Sequence, residues 1–317
     1  MTTALPTVAI TGGTGFVGQG LCSRLARAGY SLRLLRRPEF DLLAPVNPEL
    51  LAGCAAVIHL AAAMPTNQWD LEEAQRCWQT NALGTLRLVE AMQRAGVRCL
   101  IQTTSANAYA PGNSHPAEHW QQFPVLRAPY YLSSKMVQEV FAHNAACRYE
   151  MKVTTLRLSS VYGRGQATGP VVSFAKALLG GAPVRLSNGG GFGADFVAIG
   201  DVGAVVEMML AKSAAGISNI FNVGSGVRTT MLELAHKLAD LIGASPDLIE
   251  LTDGGEVADE GFASLDISRV MTMGFAPTSL HEGLSELVAW LRLGQCKSAA
   301  RDLGAASIPL LGGANIV

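Results

Sequence analysis

Thr7-Val-Ala-Ile-Thr-Gly-Gly-Thr-Gly-Phe-Val-Gly18 is the stretch on which the reading of this chain turns. Its first five residues, apolar or β-branched, read as a buried strand, and the glycines that follow read as a turn. Leu21, Leu25 and Ala28 then mark one face of a helix that Gly29 closes. Gly13, Gly15 and Gly18 fit G-x-G-x-x-G, while Gly12, Gly15 and Gly18 fit G-x-x-G-x-x-G. Residues without side chains let a turn and the first N–H groups of a helix close on a pyrophosphate, where the helix dipole favours negative charge. A strand before and a helix after is the context such a loop needs. Gly12, Gly15, Phe16, Val17 and Gly18 are therefore expected to hold a dinucleotide.

The same alternation continues outward. Residues 31–35, 56–60, 99–103 and 153–157 read as strands. Residues 78–95 and 133–148 read as helices, the first with Leu83, Leu86, Val89 and Ala91 inward. Strands separated by helices imply an α/β fold, a Rossmann-type doubly wound parallel sheet. Beyond about residue 160 the rhythm changes to a turn-rich 163–170, a helix at 171–179, a flexible loop at 189–193, strands at 195–199 and 219–223, and helices at 231–242 and 280–293. This divides the chain into an NAD(P)-binding domain, 1–164, and a smaller C-terminal substrate-binding lobe, 165–317, with the strand near 219–223 returning to the main sheet. The tail 296–317 carries no pattern that assigns it a role.

Of the 317 residues 49% are hydrophobic and 15% charged, with 24 basic against 25 acidic side chains. That balance argues against nucleic acid or an acidic membrane surface as partner and leaves a small-molecule substrate, phosphate-bearing ones included. No run approaches the roughly 18 apolar residues of a membrane span, and the first residues lack a charged leader, so the chain reads as cytoplasmic. Six scattered cysteines (22, 54, 77, 99, 147, 296) read as buried small hydrophobes rather than metal ligands. His115-Pro-Ala-Glu-His119 has the spacing H-x-x-E-H, but Pro116 and the flanking Pro111-Gly-Asn113 make it a loop, so no metal is expected there.

At the end of the second strand, where NAD enzymes usually carry an acid for the ribose hydroxyl, stand Arg36 and Arg37. Two guanidiniums attract a 2′-phosphate that a carboxylate would repel, so NADP(H) is the expected cofactor and NAD(H) the second choice. Further on, Tyr131 and Lys135 lie four apart on a helix and so on one face. A phenol near pKa 10 is a poor proton carrier at neutral pH, and a nearby cation moves it towards the working range.

With these pieces in order, the chain resembles the extended short-chain dehydrogenases/reductases, in particular the NAD-dependent epimerase/dehydratase family, over roughly residues 7–293. Further pieces are Val57-Ile-His-Leu-Ala-Ala62, Asn81-Ala-Leu-Gly-Thr85, Thr103-Thr-Ser-Ala-Asn-Ala-Tyr109, Leu156-Arg-Leu-Ser-Ser-Val-Tyr-Gly163 and Phe221-Asn-Val-Gly-Ser225. The resemblance implies Tyr131 as general acid/base, Lys135 as its activator and a ribose ligand, and Ser105 as a hydrogen-bond partner of the reacting oxygen. It implies Asn81 as fixing the active-site helix, His59, Leu60, Ala61 and Ala62 as running along the cofactor, and Asp41 with Leu42 as adenine contacts. It also implies a homodimer through a four-helix contact.

Departures narrow the substrate. Ala106 and Asn107 replace the Asp-Glu of the 4,6-dehydratases, Ser160 stands where nucleotide-sugar enzymes commonly have Asn, and Ala194 where they have Arg. Arg164, Arg185 or Arg228 are the candidates to replace that arginine. The expectation is an oxidoreductase moving hydride between the nicotinamide and a secondary alcohol or ketone of a (nucleotide-)sugar or similar polar molecule, with net keto reduction. The alternatives are a nucleotide-sugar 4-epimerase on tightly bound NAD and a dinucleotide-binding sensor without turnover.

Overall fold

A computed structural model describes residues 5–67, 69–123, 128–212, 218–252 and 264–305, with side chains as far as residue 294. The chain opens with β1 (Thr7–Thr11), α1 (Phe16–Arg27), β2 (Ser31–Leu35) and β3 (Ala56–His59). Val8, Ala9 and Ile10 are all fully buried, as a strand covered on both faces requires. Next comes one long helical stretch: α2 (Leu71–Cys77), a π turn at Trp78–Leu83, and α3 (Gly84–Ala95). Asp70 starts it by accepting the Glu72 N–H at 2.9 Å, seven residues before the expected start.

In α3 Leu88, Val89, Ala91 and Met92 are buried, Val89 and Ala91 as expected, whereas Leu86 and, in the π turn, Leu83 are only partly so. Trp78 is exposed.

Then follow β4 (Cys99–Ser105), α4 (Pro129–Tyr149), β5 (Lys152–Leu158), β6 (Ser160–Tyr162), α5 (Pro170–Leu179), β7 (Val184–Ser187), β8 (Gly193–Ala198) and α6 (Ile199–Ala211). The remaining elements are β9 (Ser218–Val223), β10 (Arg228–Thr230), α7 (Met231–Ile242), β11 (Ile249–Thr252), α8 (Ser268–Thr272) and α9 (Leu280–Ala305). The main sheet is six-stranded and parallel in the order β2-β1-β3-β4-β5-β9. Strand order reverses beside β1, which opens a crevice at the carboxyl ends of β1 and β3. One face of the sheet packs on α1 and α6 through Leu21, Leu25, Val202 and Val206, the other on α3 and α4 through Leu88, Met92, Ala142 and Ala146. A third core, including Val172, Leu186, Phe196, Leu238 and Leu287, joins the three-stranded sheet β10-β8-β6 and the pair β11-β7 to α5, α7 and α9.

Of the cysteines described, Cys54 and Cys77 are buried, Cys22 and Cys99 partly so, and Cys147 is exposed on α4, so the reading of all six as core residues fails there. All five are free thiols. Cys296 lies beyond the described side chains, and residues 306–317 of the tail lie outside the described residues. No helix among the described residues is long and apolar enough to cross a membrane.

Candidate active site

At the carboxyl ends of β1 to β3 runs a groove of about 450 Å³. Gly12, Gly15, Arg36, Arg37, Asp41, Leu42, Leu60, Ala61 and Ala62, all expected from sequence, line it. Gly12 has φ +69°, and a Cβ there would stand 2.5 Å from the Ala61 nitrogen. A Cβ at Gly18 would stand 2.2 Å from the Gly12 oxygen. Gly15 precedes the first residue of α1 and donates its N–H to Gly12 O at 3.0 Å. The turn is thus closed on itself with the start of a three-turn helix facing the groove, which fits a pyrophosphate. Phe16, Val17 and Gly18 do not line the groove; Val17 packs on the core and Gly18 acts by having no side chain against the turn.

Sequence reasoning missed Thr14, Phe40, Arg76 and Thr80, which also line the groove. Arg76 pairs with Glu73 and donates to Met64 O at 2.9 Å; its place one turn ahead of Asn81 was the signal. Arg36 and Arg37 also border a second groove of about 730 Å³ on the outer side of β2, together with Arg33, Glu39 and Glu49. Asp41 shapes the wall by accepting the Leu43 N–H at 3.0 Å.

His59 does not run along the groove. Its ring is buried between Thr11 Oγ1, 2.7 Å from Nδ1, and Thr85 Oγ1, 2.9 Å from Nε2. Thr85 gives its own hydrogen to Asn81 O at 2.6 Å, so Nε2 donates to Thr85, and in the neutral ring Nδ1 accepts from Thr11. Burial, aided by the charge of Lys135, pushes His59 down to about 3. From 6.5 down to about 3 the unfolded chain therefore binds a proton that the folded chain refuses, and stability falls with pH across that window. Urea unfolding at neutrality and at about pH 4.5 is expected to show a smaller acid loss for His59→Gln than for wild type. Equal losses would remove His59 as a source of acid sensitivity.

Ser105 ends β4, buried, its Oγ accepting the Asn107 N–H at 3.2 Å. Tyr131 and Lys135 share a face in the first turns of α4, which Pro129 begins. Lys135 is 2% exposed and is pushed down to about 7 by burial, against the pull of Glu139. Burial also pushes the Tyr131 phenol up to about 12, and the Cys77 sulfur adds to this. The expected lowering of the phenol by Lys135 is therefore not found in the protein alone, because desolvation favours the neutral form of both groups. Asn81 touches no groove space. It is fully buried in the π turn, accepts the Ala63 N–H at 2.7 Å, and donates to Ala63 O and Ser134 Oγ, each at 2.9 Å. Ser134 Oγ in turn donates to Tyr131 O at 2.7 Å. Asn81 is thus a positioning residue that ties the loop after β3 to the helix carrying Tyr131.

A smaller pocket of about 200 Å³ is lined among others by Asn107, Ser160, Gln166, Phe192, Asp195 and Met231; Ser105, Tyr131 and Lys135 line neither it nor the groove. Asp195 is committed: its oxygens accept N–H groups of Ser225, Gly226 and Leu265 at 2.7 to 3.0 Å. Of the three arginines expected to replace the missing one, Arg164 pairs with Glu286 at 3.6 Å and Arg185 with Glu250 at 2.8 Å, both exposed and neither lining the pocket. Arg228 comes nearest. It donates to Gly191 O at 2.8 Å and lies over Gly193, a pocket residue whose Cβ would stand 2.4 Å from its Nε. His115 bonds Ser264 Oγ at 2.8 Å, and no cluster of metal-ligating side chains occurs among the described residues.

The sequence profile of the NAD dependent epimerase/dehydratase family matches residues 8–224. The chain belongs to that family. It is 28% identical over 318 residues to a UDP-glucose 4-epimerase of Mycolicibacterium smegmatis, covering 89% of this chain and 97% of the relative. A dTDP-L-rhamnose 4-epimerase of Burkholderia thailandensis is 26% identical, with 90% and 94% covered. Among solved structures, MoeE5 in complex with UDP-glucose and NAD is similar with a TM-score of 0.80 and 26% identity, over 91% of this chain and 99% of that one. This family member is accordingly an enzyme of the extended short-chain dehydrogenase/reductase type, with the Rossmann-like fold expected from its glycine turn.

Proposed function

We propose that this family member is a nucleotide-sugar 4-epimerase, which oxidises and re-reduces one carbinol carbon on a dinucleotide that stays bound. The observation that carries this reading is the shortage of proton carriers. Among the described residues lining the pocket, Asn107 cannot exchange a proton reversibly and Asp195 is engaged by backbone N–H groups, which leaves Tyr131 of α4 as the proton carrier in this reading. Removal of water needs further acid/base groups, whereas inversion at one carbon needs a single reversible one. The similarity to two 4-epimerases over nearly their whole length supports the same reading.

The glycine turn, Leu60 to Ala62, Asp41 and Leu42 would hold the dinucleotide. When bound, it supplies the acceptor and donor of hydride. Tyr131 Oη takes the proton of the sugar hydroxyl and returns it, and Ser105 Oγ holds the same oxygen. Lys135, one turn along α4, is the cation that in its charged form would offset part of the burial cost of the phenolate.

Arg36 and Arg37 support a second reading, exchangeable NADPH and net ketone reduction, because both border the groove where a carboxylate would bind the ribose. The sensor reading has no such support, since Ser105, Tyr131 and Lys135 are all in place. Purified protein separates the two catalytic readings. The expected result is near-stoichiometric NAD released on denaturation, and interconversion of UDP-glucose and UDP-galactose without added cofactor. Protein free of NAD that oxidises NADPH on a keto substrate would overturn the epimerase reading.

A further inference from the structure

Thr104, Arg157 and Asn222 stand in one row across β4, β5 and β9, each in register with the next. Over that row lies Glu139, one helical turn beyond Lys135 on the same face of α4. Glu139 and Arg157 are 8% and 5% exposed. The guanidinium grips the carboxylate through Nε at 3.1 and 3.2 Å and Nη2 at 2.7 Å, and Thr104 Oγ1 donates to it at 2.6 Å. Arg157 Nη1 also donates to Tyr109 Oη and Glu118 O, both at 2.9 Å, and Tyr109 Oη donates to Asn222 Oδ1 at 2.6 Å.

A buried ion pair is weak evidence of stability, because well-packed apolar residues serve as well. What it does provide is a fixed charge at a fixed place. Thr104 directly precedes Ser105 in β4, and Lys135 lies one turn from Glu139 on α4, so the pair links the strand that ends in Ser105 to the helix that carries Lys135. We propose that Glu139 is a positioning residue of the reaction: pinned by Arg157 and Thr104, its carboxylate holds a fixed negative charge one helical turn from the Lys135 ammonium and joins the catalytic helix to the strand that ends in Ser105. This rests on the reading of Tyr131 and Lys135 as the proton-handling pair.

The groups around Lys135 make the effect calculable in sign. Tyr131 and Glu139 flank it on α4, and His59 of β3, held neutral, lies near it. Cys77 of α2 acts on Tyr131, while Arg157 of β5 and Tyr109 after β4 meet Glu139, with Glu118 acting on Tyr109. Burial drives Lys135 towards neutrality, and Glu139 opposes it. Without that carboxylate the ammonium gives up its proton at lower pH, and turnover that needs the charged lysine fails at lower pH too.

The test follows the Lys135 side chain by NMR of lysine labelled with carbon-13 in the free, full-length protein. Turnover of UDP-galactose is measured against pH alongside. Glu139→Gln is expected to lower the proton affinity of Lys135 tenfold or more, and the alkaline limb of kcat moves down by the same amount. Glu139→Asp, which keeps the charge, recovers most of that loss. If Glu139→Gln leaves Arg157 too exposed to fold, Glu139→Gln with Arg157→Met removes both charges and is expected to shift Lys135 in the same direction. A Lys135 that titrates as in wild type in a folded variant overturns the proposal, as does a shifted Lys135 with an unmoved kcat limb. The lysine readout needs no substrate, and failure of the catalytic reading itself is seen separately, in a Tyr131→Phe variant that keeps full turnover.

Discussion

Tyr131→Phe is expected to bind the dinucleotide within about twofold of wild type and to lose two or more orders of magnitude in turnover, the scale of a lost general acid/base. The change removes one oxygen and keeps the ring, which packs against the small cluster of Ala108 and Leu132 with Met136. The glycine turn and the walls of the groove lie on other elements and are untouched. Ser105 cannot take over, because an aliphatic hydroxyl is a far weaker acid than a phenol even when that phenol is pushed up to about 12. Dinucleotide titration by fluorescence and the initial rate on UDP-galactose decide the matter; an unchanged rate removes Tyr131 from the mechanism.

The second large effect is expected from Gly18→Ala. A Cβ there stands 2.2 Å from Gly12 O and 2.6 Å from Gly13 Cα, and both are backbone atoms that give way only if the turn opens. Opening it moves the N–H groups that face the groove, so dinucleotide affinity should fall by a hundredfold or more. Unfolding free energy should fall by about 1–3 kcal/mol, as for overpacked sites. Gly200 meets nothing within 4 Å at the same construction and serves as the control. Wild-type affinity in Gly18→Ala would show that the turn is not the pyrophosphate cradle.

Much of this was legible because it is local. The glycine turn and the strands of the main sheet are set by neighbours in sequence and lie close to where periodicity puts them, whereas α4 begins at Pro129 rather than at 133 and so takes in Tyr131. The illegible parts depend on register between distant segments. His59 sits in the middle of the motif expected along the cofactor, yet its side chain alternates to the side where Thr11 and Thr85 meet it. Arg164, Arg185 and Arg228 were equivalent as residue types; only the pairing of β10 with β8 brings Arg228 beside the pocket. Nothing in the sequence pairs Glu139 with Arg157; the row across β4, β5 and β9 joins them. The phenol and ammonium were judged by mutual attraction, whereas burial, which spacing does not reveal, has the larger effect on each.

The π turn at Trp78–Leu83 also sets the tolerance of this enzyme to changes in length. Loss of a single residue there would relax it to an ordinary α turn and swing what precedes it by about 100° relative to α3. Asn81 would then leave Ala63 and Ser134, although not one groove residue had been exchanged. Among relatives of this chain, substitution within this helix should thus be a commoner route of change than loss of a residue.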